Sequence, residues 1–243
     1  MADVADPNRT LLGAEQRLWL QNKLATSSGR WQVLGQQVLM GRMDLPAELL
    51  LGIATGNVSE LPQALAELAT IKFRALQRDP TLTEQELSRI NTAAPYNLDA
   101  WDGYQAEREV VLGMARQLDK NLVVLAGDTH NAWANNLKDM NGNQVGVEFA
   151  TASVSSPGLE DYLGLPDALI ADAEQGIGLL VDGLDYLNIN QRGYMVVTFT
   201  QEEALANWYF VDTVKSREYT VDNSRSAARK TLPGAGNRTV DPV

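Results

Sequence analysis

Asp128, Thr129, His130 and Asn131 follow a short apolar run from Asn121 to Gly127, and His130 is the single histidine in a chain of 243 residues. A buried strand ending in Gly-Asp-Thr-His delivers a carboxylate and an imidazole two residues apart at the carboxyl edge of a sheet, where α/β folds place their ligands. The chemistry these residue types support is hydrolysis assisted by metal ions. A lone histidine after a strand is also a common hydrogen-bonded loop residue. Asp128 and His130 are therefore candidate metal ligands and catalytic residues because they occur as a pair. Asn131 and Asn135 could touch a metal ion or a phosphate through their amides, although asparagine after a strand is equally a turn former.

The donor inventory limits the metal. Imidazole-rich zinc sites need several histidines, and this chain offers one histidine and no cysteine. Hard ions bound through oxygen are favoured, calcium by carboxylate and amide oxygens, and ferric iron. Trp101-Asp102-Gly103-Tyr104 is a second candidate segment: its side chains could line a substrate pocket, or form a capped turn at a helix start. Ser153, Ser155 and Ser156 lack a Gly-x-Ser-x-Gly elbow. A triad of Ser155 or Ser156 with His130 and Asp128 is poorly spaced, because an orienting acid usually approaches from elsewhere. Arg42 and Arg192, at strand ends, could meet a phosphate as bidentate donors or form surface salt bridges.

The elements that must position these residues alternate in type. Ala14 to Ala25 reads as a helix with Leu18, Leu20 and Leu24 toward one face, and Trp31 to Met40 as a buried strand. Asp44 to Gln77 suggests two helices joined by a turn, and Thr83 with Glu86 forms a capping box. Tyr104 to Leu118 is an amphipathic helix with Val110, Val111, Met114 and Leu118 toward a core; it feeds the Leu122 to Ala126 strand. Asn141-Gly-Asn143 turns the chain into another strand, Val145 to Ala150. Tyr194 to Thr200 and Ala204 to Val214 read as an antiparallel hairpin. The expectation is one domain over residues 1–220 and a poorly packed polar tail over 221–243.

Composition excludes several classes. With 44% hydrophobic and 21% charged residues the chain can bury one sizeable core. A formal charge of −11 argues against nucleic acid or an anionic membrane as the main partner. No apolar stretch approaches the roughly 18 residues of a membrane span. Met1-Ala-Asp-Val-Ala-Asp-Pro7 carries neither the basic nor the apolar region of a signal peptide. A phosphate ester would meet an acidic surface, so its hydrolysis would depend on bound cations to reverse the local field.

A family resemblance rests on stretches that occur in one order: Gly13-Ala-Glu-Gln-Arg-Leu-Trp-Leu20, Trp31-Gln-Val-Leu-Gly-Gln-Gln-Val-Leu-Met40, Leu98-Asp-Ala-Trp-Asp-Gly-Tyr104, Val124-Leu-Ala-Gly-Asp-Thr-His-Asn-Ala-Trp133 and Val145-Gly-Val-Glu-Phe-Ala-Thr-Ala-Ser-Val-Ser-Ser-Pro-Gly158. From about Arg9 to about Tyr219 the chain resembles PhoD-type alkaline phosphatases, members of the calcineurin-like metallophosphoesterases. The match is to the later half of that catalytic domain. The resemblance implies a layered α/β fold, a metallophosphoesterase-like β-sandwich flanked by helices and incomplete at its N-terminus. It implies hydrolysis of phosphate monoesters or diesters with Fe3+ and Ca2+, Asp128 and His130 as metal ligands, and Asn131, Trp101, Asp102 and Tyr104 near the substrate. It also implies a need for the earlier half of the domain, which carries a cysteine, an aspartate, a tyrosine and an asparagine that bind metal, and export of the full-length relatives. The alternative is a truncated, non-catalytic chain that retains the fold.

Overall fold

The computed structural model describes residue 4 and residues 6–243; Met1, Ala2, Asp3 and Ala5, within the stretch read for a leader, lie outside the described residues. Helix α1 (Gly13–Thr26) opens with no side-chain cap of its own. The Glu107 carboxylate instead accepts from the Leu11 and Leu12 amides at 2.6 and 2.9 Å, a negative group where the helix leaves donors free. Leu20 and Leu24 are buried, whereas Leu18 is 59% exposed, so the apolar face is narrower than its leucines suggest.

Strand β1 covers only Gln32–Gly35, not the whole run from Trp31 to Met40. The chain leaves the sheet because the amides of Met40, Gly41 and Met43 bond to buried carboxylates instead of a ladder. Strand β2 (Asp44–Pro46) leads into α2 (Ala47–Thr55), which ends on Gly56 in the left-handed conformation, φ 72°. Then come α3 (Leu61–Leu76), α4 (Glu84–Asn91) behind the Thr83–Glu86 capping box, and β3 (Ala93–Pro95), which pairs with β2. A single 3-10 turn, Trp101–Gly103, precedes α5 (Gln105–Gln117). Val111 of α5 is buried, but Val110 and Leu118 are exposed while Glu107 and Arg108 face inward. The buried face of α5 is thus partly ionic, which apolar periodicity cannot reveal.

Strands β4 (Leu122–Ala126), β5 (Ala132–Lys138) and β6 (Gln144–Ala150) follow in succession. The short α6 (Leu159–Tyr162) and α7 (Ile170–Leu180) lead to β7 (Leu184–Asn188). The order in this five-stranded sheet is β1-β4-β6-β5-β7, with β4 parallel to both neighbours and β5 antiparallel to both of its own. Strands β8 (Arg192–Phe199) and β9 (Ala204–Val211) form the expected hairpin, joined by β10 (Ala227–Thr231) and β11 (Asp241–Pro242) into a second, four-stranded sheet.

The sheets stack as a sandwich. Val123, Ala132, Ala134, Val147 and Phe149 of the first pack on Ala204, Ala206, Trp208 and Phe210 of the second. Trp208 donates to the Ala150 carbonyl at 2.8 Å and meets Phe149 edge-on, ring centres 5.8 Å apart. Apolar residues of α1 and α5, and of α2, α3 and α7, form two further core clusters with residues of the first sheet. The architecture is the layered α/β sandwich with flanking helices that the resemblance implies. No helix among the described residues is long and apolar enough to cross a membrane.

Residues 221–243 overturn the expectation of a poorly packed tail. Strand β10 pairs with β9 from Ala227↔Trp208 to Thr231↔Ala204, Thr231 and Val240 are buried, and Arg238 bonds Asp119 and Asn121. Along β10 the residues opposite buried Trp208, Ala206 and Ala204 are Ala227, Arg229 and Thr231, and Arg229 lies over the Tyr186 ring and pairs with Asp185, so no hydrophobic pattern registers in the segment. Truncating the chain after Ser226 should lower its unfolding free energy by more than about 2 kcal/mol, since it strips a paired strand from the sheet covering Trp208. Urea denaturation checks this, and an unchanged midpoint would return the segment to the status of a tail.

Candidate active site

Strand β4 is an interior strand, and the turn beyond its carboxyl end carries Asp128 and His130. Both residues are left-handed, with φ of 66° and 63°. Aspartate and histidine are among the non-glycine residues most often found there, whereas a β-branched residue resists it, and Thr129 is absent from the positive-φ set. Such a backbone costs of order 1–2 kcal/mol per residue, so it persists only where surroundings fix it.

The surroundings are specific. The Gly127 amide donates to the Gln37 carbonyl and the Thr151 amide to the Ala126 carbonyl, tying the turn on both sides. Trp133 Nε1 donates to Thr129 Oγ1 at 2.9 Å. Asn131 is buried; its Nδ2 donates to the Thr129 carbonyl at 2.7 Å and its Oδ1 accepts from the Leu159 amide at 2.9 Å. The Ser153 amide reaches the His130 carbonyl, and His130 Nδ1 lies 2.8 Å from the Pro157 carbonyl oxygen. A carbonyl can only accept, so Nδ1 is the donor, and in the neutral ring Nε2 is the nitrogen with a free lone pair. Holding one imidazole nitrogen on a backbone carbonyl is how proteins aim the other at a metal.

Asp128 is exposed and His130 half-buried. Among the described residues no group of three or more His, Cys, Asp and Glu side chains is arranged to hold a metal ion. The donor set fits iron or calcium incompletely: a carboxylate and an oriented imidazole share one turn, short of the ligands either ion requires.

The other sequence candidates separate into structural roles. Asn131 spends both amide atoms on the turn and positions it. Asn135 is buried and donates to Glu148 at 3.0 Å. Trp101 is buried with Nε1 on Gln36 Oε1 at 2.7 Å, and Asp102 is buried and accepts from the Met43 amide at 2.9 Å. Tyr104 lies under the Arg9 guanidinium, 4.7 Å from ring centre. Gln36 and Gln37 connect the two regions, since Gln36 holds Trp101 while the Gln37 carbonyl holds Gly127. No serine triad forms at this imidazole nitrogen: His130 Nδ1 faces the Pro157 carbonyl, and the Ser153 hydroxyl donates to the Ser156 carbonyl. Arg42 and Arg192 pair with Glu109 and Glu160.

Glu148 carries a role that motif reading does not assign. Fully buried on β6, it accepts from the Met40 amide at 2.6 Å, the Gly41 amide at 2.9 Å and Asn135. Burial pushes its pKa up, opposed by these donors and by Arg108. A Cβ on Gly41 would fall 2.6 Å from the Asn135 amide group, so the loop approaches β5 as closely as glycine allows. The only signal in the sequence is a carboxylate inside Val-Gly-Val-Glu-Phe-Ala. Arg108, equally buried, donates to the Met40 carbonyl at 2.7 Å.

Comparison with known proteins bears on this geometry. Residues 1–208 match the model of the PhoD-like phosphatase family. The chain belongs to that family. It is 30% identical over 159 residues to alkaline phosphatase D of Bacillus subtilis (strain 168), which covers 63% of this chain and 20% of that protein. A solved structure described as the structure of PhoD superposes with a TM-score of 0.66 at 22% identity, covering 100% of this chain and 37% of the other. The PhoD-like chain described here thus spans about a fifth of the curated relative's length and little more than a third of the solved chain.

Two consequences can be measured. Asn131→Ala leaves the buried Leu159 amide without an acceptor, and should cost about 1–3 kcal/mol in urea denaturation; a cost under a few tenths would remove Asn131 from the turn's support. Asp102 is pushed up to about 6, first by burial and further by Asp44. A carboxyl group raised in the folded state contributes stability below its unfolded pKa and loses it as pH rises through about 6. Asp102→Asn should therefore flatten the dependence of stability on pH between about 4 and 7, and an unchanged slope would contradict the assignment.

Proposed function

We propose that this chain supplies Asp128 and His130 to the metal centre of a PhoD-type phosphoric-ester hydrolase, with the remaining ligands coming from the earlier half of the domain. The observation that carries the reading is the His130 imidazole, whose Nδ1 is spent on the Pro157 carbonyl so that Nε2 is left as a donor on the turn that also carries Asp128. Family membership supports the reaction class, a metal-dependent attack of water on a phosphate ester. Fe3+ and Ca2+ agree with a site of one nitrogen and otherwise oxygen donors on this chain. When bound, such ions would supply the positive charge that a chain of net charge −11 needs to hold a phosphoryl group.

The chain's own residues then have defined tasks. Asp128 and His130 would hold the metal, Pro157 fixes the imidazole tautomer, and Asn131, Thr129 and Trp133 support the turn. The substrate is a phosphate monoester or diester, and export of the complete protein belongs to the same reading. Two donors do not close a coordination shell, and incompletely held ions rarely position a nucleophile. The isolated chain is accordingly read as non-catalytic.

Phosphate release from a chromogenic monoester and diester, by this chain alone and by a version extended with the earlier half of the domain, tests the proposal. The isolated chain should show little or no turnover. The extended protein should be active and sensitive to chelation, and His130→Ala within it should lower kcat/KM by at least about 100-fold. Chelator-resistant turnover in the extended protein would refute the metal assignment; robust metal-dependent turnover by the 243 residues alone would refute the division of the site.

A further inference from the structure

Residues 153–160 form a strap beside the turn that bears His130. The Pro157 carbonyl takes the imidazole Nδ1 at 2.8 Å, and two residues later the Leu159 amide donates to Asn131 Oδ1 at 2.9 Å. The strap has little structure of its own to hold that carbonyl in place. Val154 and Pro157 are exposed, and α6 at its end is only Leu159–Tyr162, with no side-chain cap on Gly158. Four residues do not sustain a helix alone.

Its two ends are tied to consecutive residues at the start of β8. At one end the Gly193 amide donates to the Ser153 carbonyl at 3.1 Å, and at the other Arg192 Nη2 donates to Glu160 Oε1 at 2.5 Å. The Pro157 carbonyl lies in the chain between these ties. Packing there is close: a Cβ on Gly158 would fall 2.5 Å from Asn131 Oδ1 and 2.6 Å from both Glu160 Oε2 and the Ile189 carbonyl oxygen. The anchor is itself well fixed. Asn188 pairs with Ala132, so residues 189–192 leave the sheet at the edge where the turn sits. The Ile189 amide donates to Glu174, Arg225 bridges Glu174 and Gln191, and Arg192 Nη1 donates to the Asn190 carbonyl at 2.9 Å.

The ion pair is largely buried, with side-chain exposures of 11% for Arg192 and 14% for Glu160. Arg192 is the one cation paired with this carboxylate among the described residues, and Glu160 Oε2 is buried without a hydrogen-bond partner. Taking away the guanidinium would strand a buried charge. The carboxylate would then gain most by turning out to water, and the strap would follow it.

We propose that Arg192 and Glu160 are positioning residues for His130, acting through the Pro157 carbonyl; their part in hydrolysis rests on the functional reading above. The tautomer of a histidine follows the hydrogen bond that one of its nitrogens makes, and a ring released into water favours the proton on Nε2. Displacing the strap therefore moves the proton, by exchange with solvent, from Nδ1 to the nitrogen whose lone pair a metal would need. The pair thus sets which nitrogen of the ring can bind, from a place outside the turn.

Long-range proton–nitrogen NMR of the 243-residue chain near pH 8 reads the tautomer of its single histidine. In the unaltered protein the proton should sit on Nδ1. Arg192→Gln should move most of the population to the Nε2–H form. Glu160→Gln should move it less in the same direction, because a neutral amide still accepts from the guanidinium, though more weakly. Arg192→Lys should keep most of the population on Nδ1, since an ammonium still pairs with Glu160. Lys72→Gln, which breaks the pair between α3 and Asp182, should leave the ring as it is. Urea denaturation of the same variants separates positioning from stability. A pair that only stabilises the fold would lower the midpoint and leave the proton on Nδ1. That result in a folded Arg192→Gln, or in Glu160→Gln if Arg192→Gln does not fold, would overturn the proposal, as would an unaltered protein carrying the proton on Nε2. In the extended protein Arg192→Gln should lower kcat/KM about 10-fold, with Arg192→Lys restoring most of it. Unchanged turnover beside a shifted tautomer contradicts only the functional reading, whereas an unshifted tautomer contradicts only the positioning.

Discussion

A left-handed backbone at Asp128 and His130 is the constraint on which the candidate site depends. Without it the chain beyond β4 would continue extended, and the two side chains would follow the alternation of a strand. The bend is unfavourable in isolation, and besides the bonds of Asn131 and Trp133 to Thr129 it is held from outside by the Gln37 carbonyl on one side and the Ser153 to Leu159 loop on the other. Those contacts also choose the imidazole tautomer. Backbone conformation, imidazole tautomer and side-chain direction are therefore set together, and a change at Asn131 or Pro157 reaches Asp128 and His130 without touching them.

Glu148 has the corresponding role deeper in the sandwich. A carboxylate buried among apolar residues is costly unless its oxygens are fully bonded, and here three donors and Arg108 surround it. What that arrangement secures is the course of the chain after β1. The Met40–Gly41 backbone is drawn against β5 and β6, Asp102 draws Met43, and the segment between is left to bring Gln36 to Trp101 and Gln37 to Gly127. The buried ionic groups of α5 and β6 thus shape the same loop that supports the active-site turn.

Much of this was legible in the sequence. The strand ending in Gly-Asp-Thr-His, the capping box at Thr83, the β8–β9 hairpin and the layered α/β class follow from local pattern and from the family motifs. What escaped lies where tertiary polar contacts override local pattern. The run from Trp31 to Met40 looks like one strand, but buried carboxylates take the amide of Met40 and, beyond it, those of Gly41 and Met43. Val110 and Leu118 look like core, but the α5 face that packs inward includes Glu107 and Arg108. Asn131, Trp101 and Asp102 have the chemistry of substrate contacts, and their hydrogen bonds within the fold carry no local signature in the sequence. The polar residues after Val221 form strands because β9 offers them an edge, which no composition records.

Because His130 is the chain's only histidine, its ring can be observed without ambiguity. The most direct test of the central claim is long-range proton–nitrogen NMR of that imidazole near pH 8, with paramagnetic Mn2+ added to the extended, complete domain as a hard-ion probe. The account predicts a proton on Nδ1, an unprotonated Nε2, and loss of the His130 ring signals at Mn2+ concentrations that leave the rest of the spectrum intact. A proton on Nε2, or a ring indifferent to the metal, would contradict the assignment of this turn as a metal-binding site.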